Sequence, residues 1–228
     1  MALPSPPRYH GFNPEVMKRE DKSLVRGFFR PLLLLFVAVF AAGCYMPIRF
    51  DAEIELTRSG YYEFFFDGYL AKVQLYDKLR KREISREEEK EQVELIKNDF
   101  ERDPSTKEFK YFKKGHFKVN WERKGDLTKA KSVTFFRRNE HMLGIAYNSK
   151  SGRVTISGRS IKRDTKRQLN DIGLGTTGQI RVITDANVIA HNATGVKKFR
   201  KRGPRFKIYT WEIKSIFDRT PSMTVALR

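Results

Sequence analysis

The residues that could carry chemistry in this 228-residue chain are few and scattered. None of its four histidines forms a pair at the spacing of metal ligands, and the H-E-x-x-H pattern does not occur. The G-x-S-x-G pattern of a serine nucleophile does not occur either. The sequence therefore predicts no catalytic residue, no metal site and no cofactor, and it favours a protein that is not an enzyme.

One glycine-rich segment matches the letters of a dinucleotide-binding motif. Residues Gly173 to Gly178 read GLGTTG. That motif works only where a strand precedes it and a helix follows, because the pyrophosphate sits at the helix N-terminus. Here the predicted helix comes first and the predicted strand second, so the segment is interpreted as a connecting loop.

Cys44 is the single cysteine, which excludes a disulfide within the chain and a cysteine-based zinc site. It follows an apolar stretch that carries no charge between Arg30 and Arg49, and five cations lie between Lys18 and Arg30. This order is typical of an export signal. Residues 1–43 are therefore predicted to be a signal peptide or a membrane anchor. Translation is expected to start at Met17, since the segment from that residue has the length of a signal peptide.

The residues Ala41-Ala42-Gly43-Cys44 resemble the lipobox of bacterial lipoproteins. The resemblance implies that Cys44 receives a diacylglycerol and becomes the first residue of the mature chain. An uncleaved transmembrane helix, which takes about 20 apolar residues, and a buried core helix are the other interpretations. The lipoprotein and the transmembrane helix both place the domain 44–228 in the cell envelope, on the periplasmic side of the inner or outer membrane.

A basic segment near the C-terminus is the main candidate for ligand binding. The chain has 46 Lys and Arg against 27 Asp and Glu, and this excess favours anionic partners. Arginine forks could hold phosphates, and an aromatic side chain could insert at a lipid interface. Gly195, Gly203 and Pro204 predict that the segment is a loop, and a solvated surface loop that binds nothing is the alternative. The predicted anionic-ligand site consists of Lys197, Lys198, Phe199, Arg200, Lys201, Arg202, Arg205 and Lys207.

Hydrophobic periodicity predicts the elements that would position these residues. Alternation over 48–56, a turn at 58–60 and aromatics over 61–66 indicate a hairpin. A capping box at Ser85 predicts a helix over 86–101, and a second helix is predicted over 164–172, ending at Gly173. Residues 124–126 are predicted to form a turn. With eight more strand-like segments, the fold class is α+β, mostly antiparallel strands with one or two helices.

The C-terminal part resembles the closing hairpins of the LppM-like family of bacterial envelope lipoproteins. The resemblance rests on GQIRVITDANVIAHNA from Gly178, YTWEI from Tyr209 and DRTPSMTVAL from Asp218. It implies an α+β domain tethered at a membrane, with Trp211 in a late strand, a binding or structural role and no active site.

These observations lead to three hypotheses about function. The first is a non-enzymatic envelope lipoprotein whose basic surface binds anionic lipid, lipopolysaccharide or a protein partner. The second is an enzyme or assembly factor that acts on an envelope polymer through a site assembled from distant strands. The third is a nucleic-acid binder, which export argues against.

Overall fold

The computed structural model describes residues 45–136 and 142–227. The predicted signal or anchor segment 1–43, the predicted lipidation site Cys44 and His141 lie outside these ranges. Within them, every helix is too short or too polar to cross a bilayer.

The described residues form twelve strands, four α-helices and one 3-10 turn. The strands are β1 Tyr45–Leu56, β2 Tyr61–Lys72, β3 Thr106–Tyr111, β4 His116–Asp126, β5 Ser132–Phe135, β6 Leu143–Asn148, β7 Arg153–Gly158, β8 Thr177–Thr184, β9 Asn187–His191, β10 Gly195–Lys198, β11 Lys207–Ile213 and β12 Ser222–Ala226. The helices are α1 Val73–Lys81, α2 Arg86–Glu101, α3 Leu127–Ala130 and α4 Arg163–Asp171, and the 3-10 turn is Arg200–Arg202.

The strands form two sheets. The seven-stranded sheet has the order β10-β11-β8-β1-β2-β4-β3, and the five-stranded sheet has the order β5-β6-β7-β12-β9. The pairing of β1 with β8 is parallel, whereas every other strand pairing among the described residues is antiparallel. This confirms the predicted α+β class of mostly antiparallel strands, although four helices are present rather than one or two.

The core lies between the inner faces of the two sheets. Alternate residues of β1 and β2 point inward, as the period of two predicts, and Ile54 and Phe64 are fully buried there. Across the interface, the ring of Phe66 stacks on that of Phe135 in the smaller sheet, with 4.0 Å between centroids. Large aromatic side chains therefore join the two layers.

A buried polar contact fixes the position of Trp121 in this core. Its indole N–H donates to Asp103 Oδ2 at 2.9 Å. Burial raises the pKa of the Asp103 carboxyl, but hydrogen bonds from Trp121 and from the Ser105 amide outweigh burial, and the net pKa lies below its usual value. The carboxylate is therefore held ionised, and it satisfies the one polar atom of the indole ring.

Helix α2 begins as its sequence predicts. The Ser85 hydroxyl accepts from the Glu88 amide at 3.1 Å, and Glu88 Oε2 accepts from the Ser85 amide at 2.7 Å. Its last turn buries Phe100 completely, in edge contact with the ring of Tyr45. The helix therefore covers the core beside the first residue of β1.

Two local predictions are wrong. Residues 124–126 do not turn: they continue β4 alongside the start of β2. The chain reverses later, where Asp126 accepts from the Thr128 amide at 2.8 Å and begins the short helix α3. The segment from Lys197 was expected to be a loop, but Lys197 and Lys198 belong to β10, because they pair with the first residues of β11.

Candidate functional site

The first two residues of β1 are both buried, on opposite faces of the sheet. Tyr45 is 6% exposed and faces the core, where the ammonium of Lys72 lies 4.2 Å from the centroid of its ring. Met46 is 2% exposed and belongs to a second, smaller core on the outer face. Cys44 precedes Tyr45 by a single peptide bond. Any group attached to Cys44 therefore joins the folded domain without a spacer.

The second core closes the outer face of the sheet at this end. It combines the start of β1 with α4, with the glycine-rich loop before β8 and with the turn between β11 and β12. Its buried members are Met46, Ala71, Leu169, Leu174 and Ile216. The glycine-rich loop connects α4 to β8, as the sequence predicts. These segments fix the surroundings of the first β1 residues.

Close backbone approach holds β8 beside β1. A Cβ on Gly178 would stand 2.3 Å from the carbonyl oxygen of Phe50, so only glycine fits this position. Two residues before Gly178, the hydroxyl of Thr176 donates to the carbonyl oxygen of Pro47. The parallel pairing of β1 and β8 thus starts at the same end of the sheet as the chain entry at Tyr45.

A cavity of about 120 Å³ opens beside these residues. Its wall is mainly apolar and is formed by the first residues of β1, by the segment from Gly158 to α4 and by the turn between β11 and β12. The apolar lining includes Tyr45, Met46, Phe50, Ile161, Leu169, Ile180, Ile213 and Ile216. Three cations, Arg159, Lys166 and Arg219, also line it. An apolar cavity with basic residues in its lining suits an apolar chain that ends in an anionic group.

One carboxylate, Asp218, is among the lining residues, and it is engaged in its own turn. Its Oδ2 accepts from the Lys214 amide at 2.7 Å and from the Ser215 amide at 3.0 Å. The ammonium of Lys166 donates to the Asp218 carbonyl oxygen at 3.3 Å. Within residues 45–136 and 142–227, His, Cys, Asp and Glu side chains form no group of three that could hold a metal ion.

The basic segment predicted as an anionic-ligand site lies at the opposite end of the large sheet. Lys198 pairs with Lys207, and Lys207 pairs with Thr184 of β8. Thr184 in turn stands beside Leu56, the last residue of β1. At 3.3 Å per strand residue, the eleven steps from Tyr45 to Leu56 span roughly 35 Å. We call residues 197–207 the distal hairpin.

Contacts with the sheet hold the distal hairpin in one shape. Arg202 binds Glu55 at 2.8 Å, and this arginine partly offsets the burial that raises the pKa of the Glu55 carboxyl. The Phe199 amide donates to the Phe206 carbonyl oxygen at 2.9 Å, and both rings are half-buried. Phe199 is therefore less available for lipid insertion than the sequence predicts.

The remaining cations of the distal hairpin face solvent. Within the described residues, no ion pair of 4 Å or less joins any of these cations to a carboxylate. They are Lys197, Lys198, Arg200, Lys201, Arg205 and Lys207. Binding of an anionic ligand by this hairpin stays a prediction.

Sequence reasoning missed the cavity and the cations that line it. Arg159 and Lys166 belong to a basic stretch, residues 159–167, which has five Lys and Arg among nine residues, whereas Arg219 lies more than fifty residues later. That stretch and the pattern Lys214 to Arg219, in which Phe217 lies between two cations on a turn, were local signals, but neither indicates the apolar wall that they share.

Neither a protein-family model nor a curated protein matches the chain. Among solved structures, the chain is similar to the folded domain of Mycobacterium tuberculosis LppM, determined by NMR. The TM-score is 0.39 at 11% sequence identity, over 80% of this chain and 91% of that one.

Proposed function

We propose that the protein is a non-enzymatic, membrane-tethered envelope lipoprotein that binds an anionic amphiphile in the cavity at the start of β1. The observation that carries this proposal is the position of the cavity. Its apolar wall includes Tyr45 and Met46, the two residues that follow Cys44, and its lining also contains three cations. A lipid anchor on Cys44 would bring this opening to the surface of the bilayer.

The size of the cavity defines what it can hold. An engineered apolar cavity of about 150 Å³ binds benzene, so about 120 Å³ accommodates a short stretch of acyl chain. Burial of that stretch is favourable by about 25 cal/mol per Å² of apolar surface. The lining cations Arg159, Lys166 and Arg219 would then meet a phosphate or carboxylate headgroup.

The contacts of Asp218 argue for binding rather than for catalysis at this cavity. A general acid or base needs a carboxyl group that can exchange a proton with the substrate. Oδ2 of Asp218 instead accepts from two backbone amides of its own turn, so this carboxylate closes the turn. An enzyme acting on an envelope polymer remains the alternative, and it would require turnover of the bound amphiphile.

Filling the cavity should prevent binding. Ile161→Trp places a larger side chain on the half-buried wall residue before α4. We expect the full chain in detergent to lose affinity for fluorescent lysophosphatidylglycerol by about tenfold, equivalent to a loss of about 1.4 kcal/mol. Fluorescence anisotropy measures this affinity.

The matched control for this test is Ile189→Trp. Ile189 is 46% exposed on β9 and is not part of the cavity wall. Equal affinity in the wild type and in both variants would exclude the cavity as the amphiphile site.

The distal hairpin supports a second candidate function, which is binding of a polyanion away from the tethering membrane. Six exposed cations stand on a hairpin that Arg202 fixes to the sheet. Roughly 35 Å separates them from the chain entry, which is several times the Debye length of about 8 Å at physiological salt. Lipopolysaccharide or an acidic protein partner would suit this surface.

A further inference from the structure

Two exposed phenylalanines stand on different turns at the end of the domain where β1 begins. Phe112 is 45% exposed on the turn between β3 and β4, and Phe217 is 46% exposed on the turn between β11 and β12. Full burial of a Phe side chain is worth about 1.5–3 kcal/mol, so both positions forgo stabilisation in the isolated domain. Such residues often mark a surface that is covered by something else.

The register of the sheet places both turns at the level of Tyr45. The Phe112 amide donates to the His116 carbonyl oxygen at 2.8 Å, and His116 pairs with Ala71, next to the partner of Tyr45. On the other turn, Ile216 is buried with Met46 in the second core. The two phenylalanines therefore stand at the same end as the chain entry, on separate elements around it.

Cations surround both phenylalanines. Lys113 and Lys114 follow Phe112, and Lys214 and Arg219 flank Phe217. The segments 112–115, 159–171 and 214–221, which we call the proximal loops, contain nine Lys and Arg against three Asp. Exposed aromatic side chains among cations are typical of a surface that lies in the interface of an anionic bilayer.

The backbone of the β3–β4 turn is unusual for its sequence. Lys113 has a φ of 76° and Lys114 has a φ of 51°, both in the left-handed region that favours glycine or asparagine. Two lysines in this conformation are less stable than two glycines would be. The turn thus keeps two cations beside Phe112 at a cost to stability, as sites shaped for binding often do.

The chain that precedes the described residues identifies what covers this end. The uncharged stretch 31–48 includes the first residues of β1. A lipid on Cys44, or an apolar membrane anchor before it, would therefore hold the proximal loops against a bilayer. We infer that the proximal loops form a docking face for an anionic membrane, with Phe112 and Phe217 inserted among the headgroups. This inference rests on the tether of the proposed function and does not depend on a ligand in the cavity.

Tryptophan at the two positions reports insertion directly. The native Trp121 and Trp211 are buried, at 0% and 3% exposure, and give a constant background. In the full chain reconstituted into phosphatidylglycerol vesicles, we expect brominated lipid to quench about half of the added emission of Phe112→Trp and of Phe217→Trp, since an interfacial side chain lies about 5–10 Å deep.

The control is Val196→Trp, at a 45%-exposed position on β10. Its register partners lead to Ile54 of β1, roughly 30 Å along the strand from Tyr45, so its emission should be unaffected. Equal quenching at all three positions, or quenching at none, would overturn the docking face. Blue-shifted emission that rises with protein density without bromine quenching would assign the face to a second copy and would also overturn it. Lysophosphatidylglycerol binding in detergent tests the cavity separately, so either proposal can fail alone.

Discussion

Neutralising four cations of the proximal loops is expected to lift the tethered domain off an anionic bilayer. The variant changes Lys113, Lys114, Lys162 and Arg163 to Gln, at four exposed positions. Each cation near an anionic surface contributes about 1 kcal/mol, so the docking equilibrium should fall by roughly a hundredfold or more at low salt. Quenching of Phe217→Trp by brominated phosphatidylglycerol in the reconstituted full chain measures the docked fraction.

The distal hairpin provides a control with the same change in charge. Changing Lys197, Lys198, Arg200 and Lys201 to Gln also removes four cations from exposed positions. Roughly 35 Å from the bilayer, these charges are screened, and the docked fraction should change by less than about twofold. A larger loss from the hairpin variant than from the proximal variant would show that the sequence-based site faces the lipid and that the proposed orientation is wrong.

A flexible linker between Cys44 and Tyr45 is expected to abolish the preference of the bilayer for the proximal loops over the distal hairpin. Tyr45 is buried and paired with Lys72, so a lipid on Cys44, one peptide bond away, would fix which end of the domain meets the membrane. Twenty Gly and Ser residues give an end-to-end distance of about 25 Å, which frees the domain to rotate. The more basic distal hairpin should then reach the bilayer.

In the linker variant, the four-residue hairpin change should therefore reduce binding of the domain to phosphatidylglycerol, by roughly a hundredfold or more if each cation contributes about 1 kcal/mol. Quenching of Val196→Trp by brominated lipid measures contact of the distal hairpin with the bilayer. An inserted linker of rigid proline repeats serves as a control that adds length with less freedom. Unchanged preference for the proximal loops in the flexible variant would mean that their own affinity, rather than the tether, orients the domain.

Local sequence patterns were sufficient for much of the fold. The alternation over β1, the capping box at Ser85 and the stop at Gly173 each depend on neighbouring residues, and the structure contains all three. The φ of Gly173 is 86°, the left-handed conformation expected after a helix end.

The two wrong predictions concern segments whose structure depends on pairing with another strand. Residues 124–126 contain a turn-forming glycine, but pairing with β2 keeps them extended, and Gly125 stands opposite Tyr62. Lys197 and Lys198 are in a strand because β11 lies beside them. Local composition carries no information about either partner.

The candidate site was hidden for the same reason. The parallel pairing of β1 with β8 joins residues 128 positions apart, as Arg49 with Thr177, and it brings the loop before β8 to the chain entry. The cavity requires segments around positions 45, 142, 160, 176 and 216, which no local pattern connects. Sequence reasoning thus identified the most basic segment, whereas the structure reveals a less basic surface beside Tyr45, the first residue of β1.

The measurement that tests the central claim most directly is the intact mass of the membrane-extracted protein, compared with that of Cys44→Ser. The proposed tether predicts a wild-type chain that begins at Cys44 and carries diacylglycerol and acyl mass, and a variant without that mass. Phe217→Ser serves as a control, because it lies outside the predicted lipobox and should leave the modification unchanged. An uncleaved, unmodified wild-type chain would contradict the lipoprotein, and its release into the soluble fraction would also contradict the membrane tether on which the docking face depends.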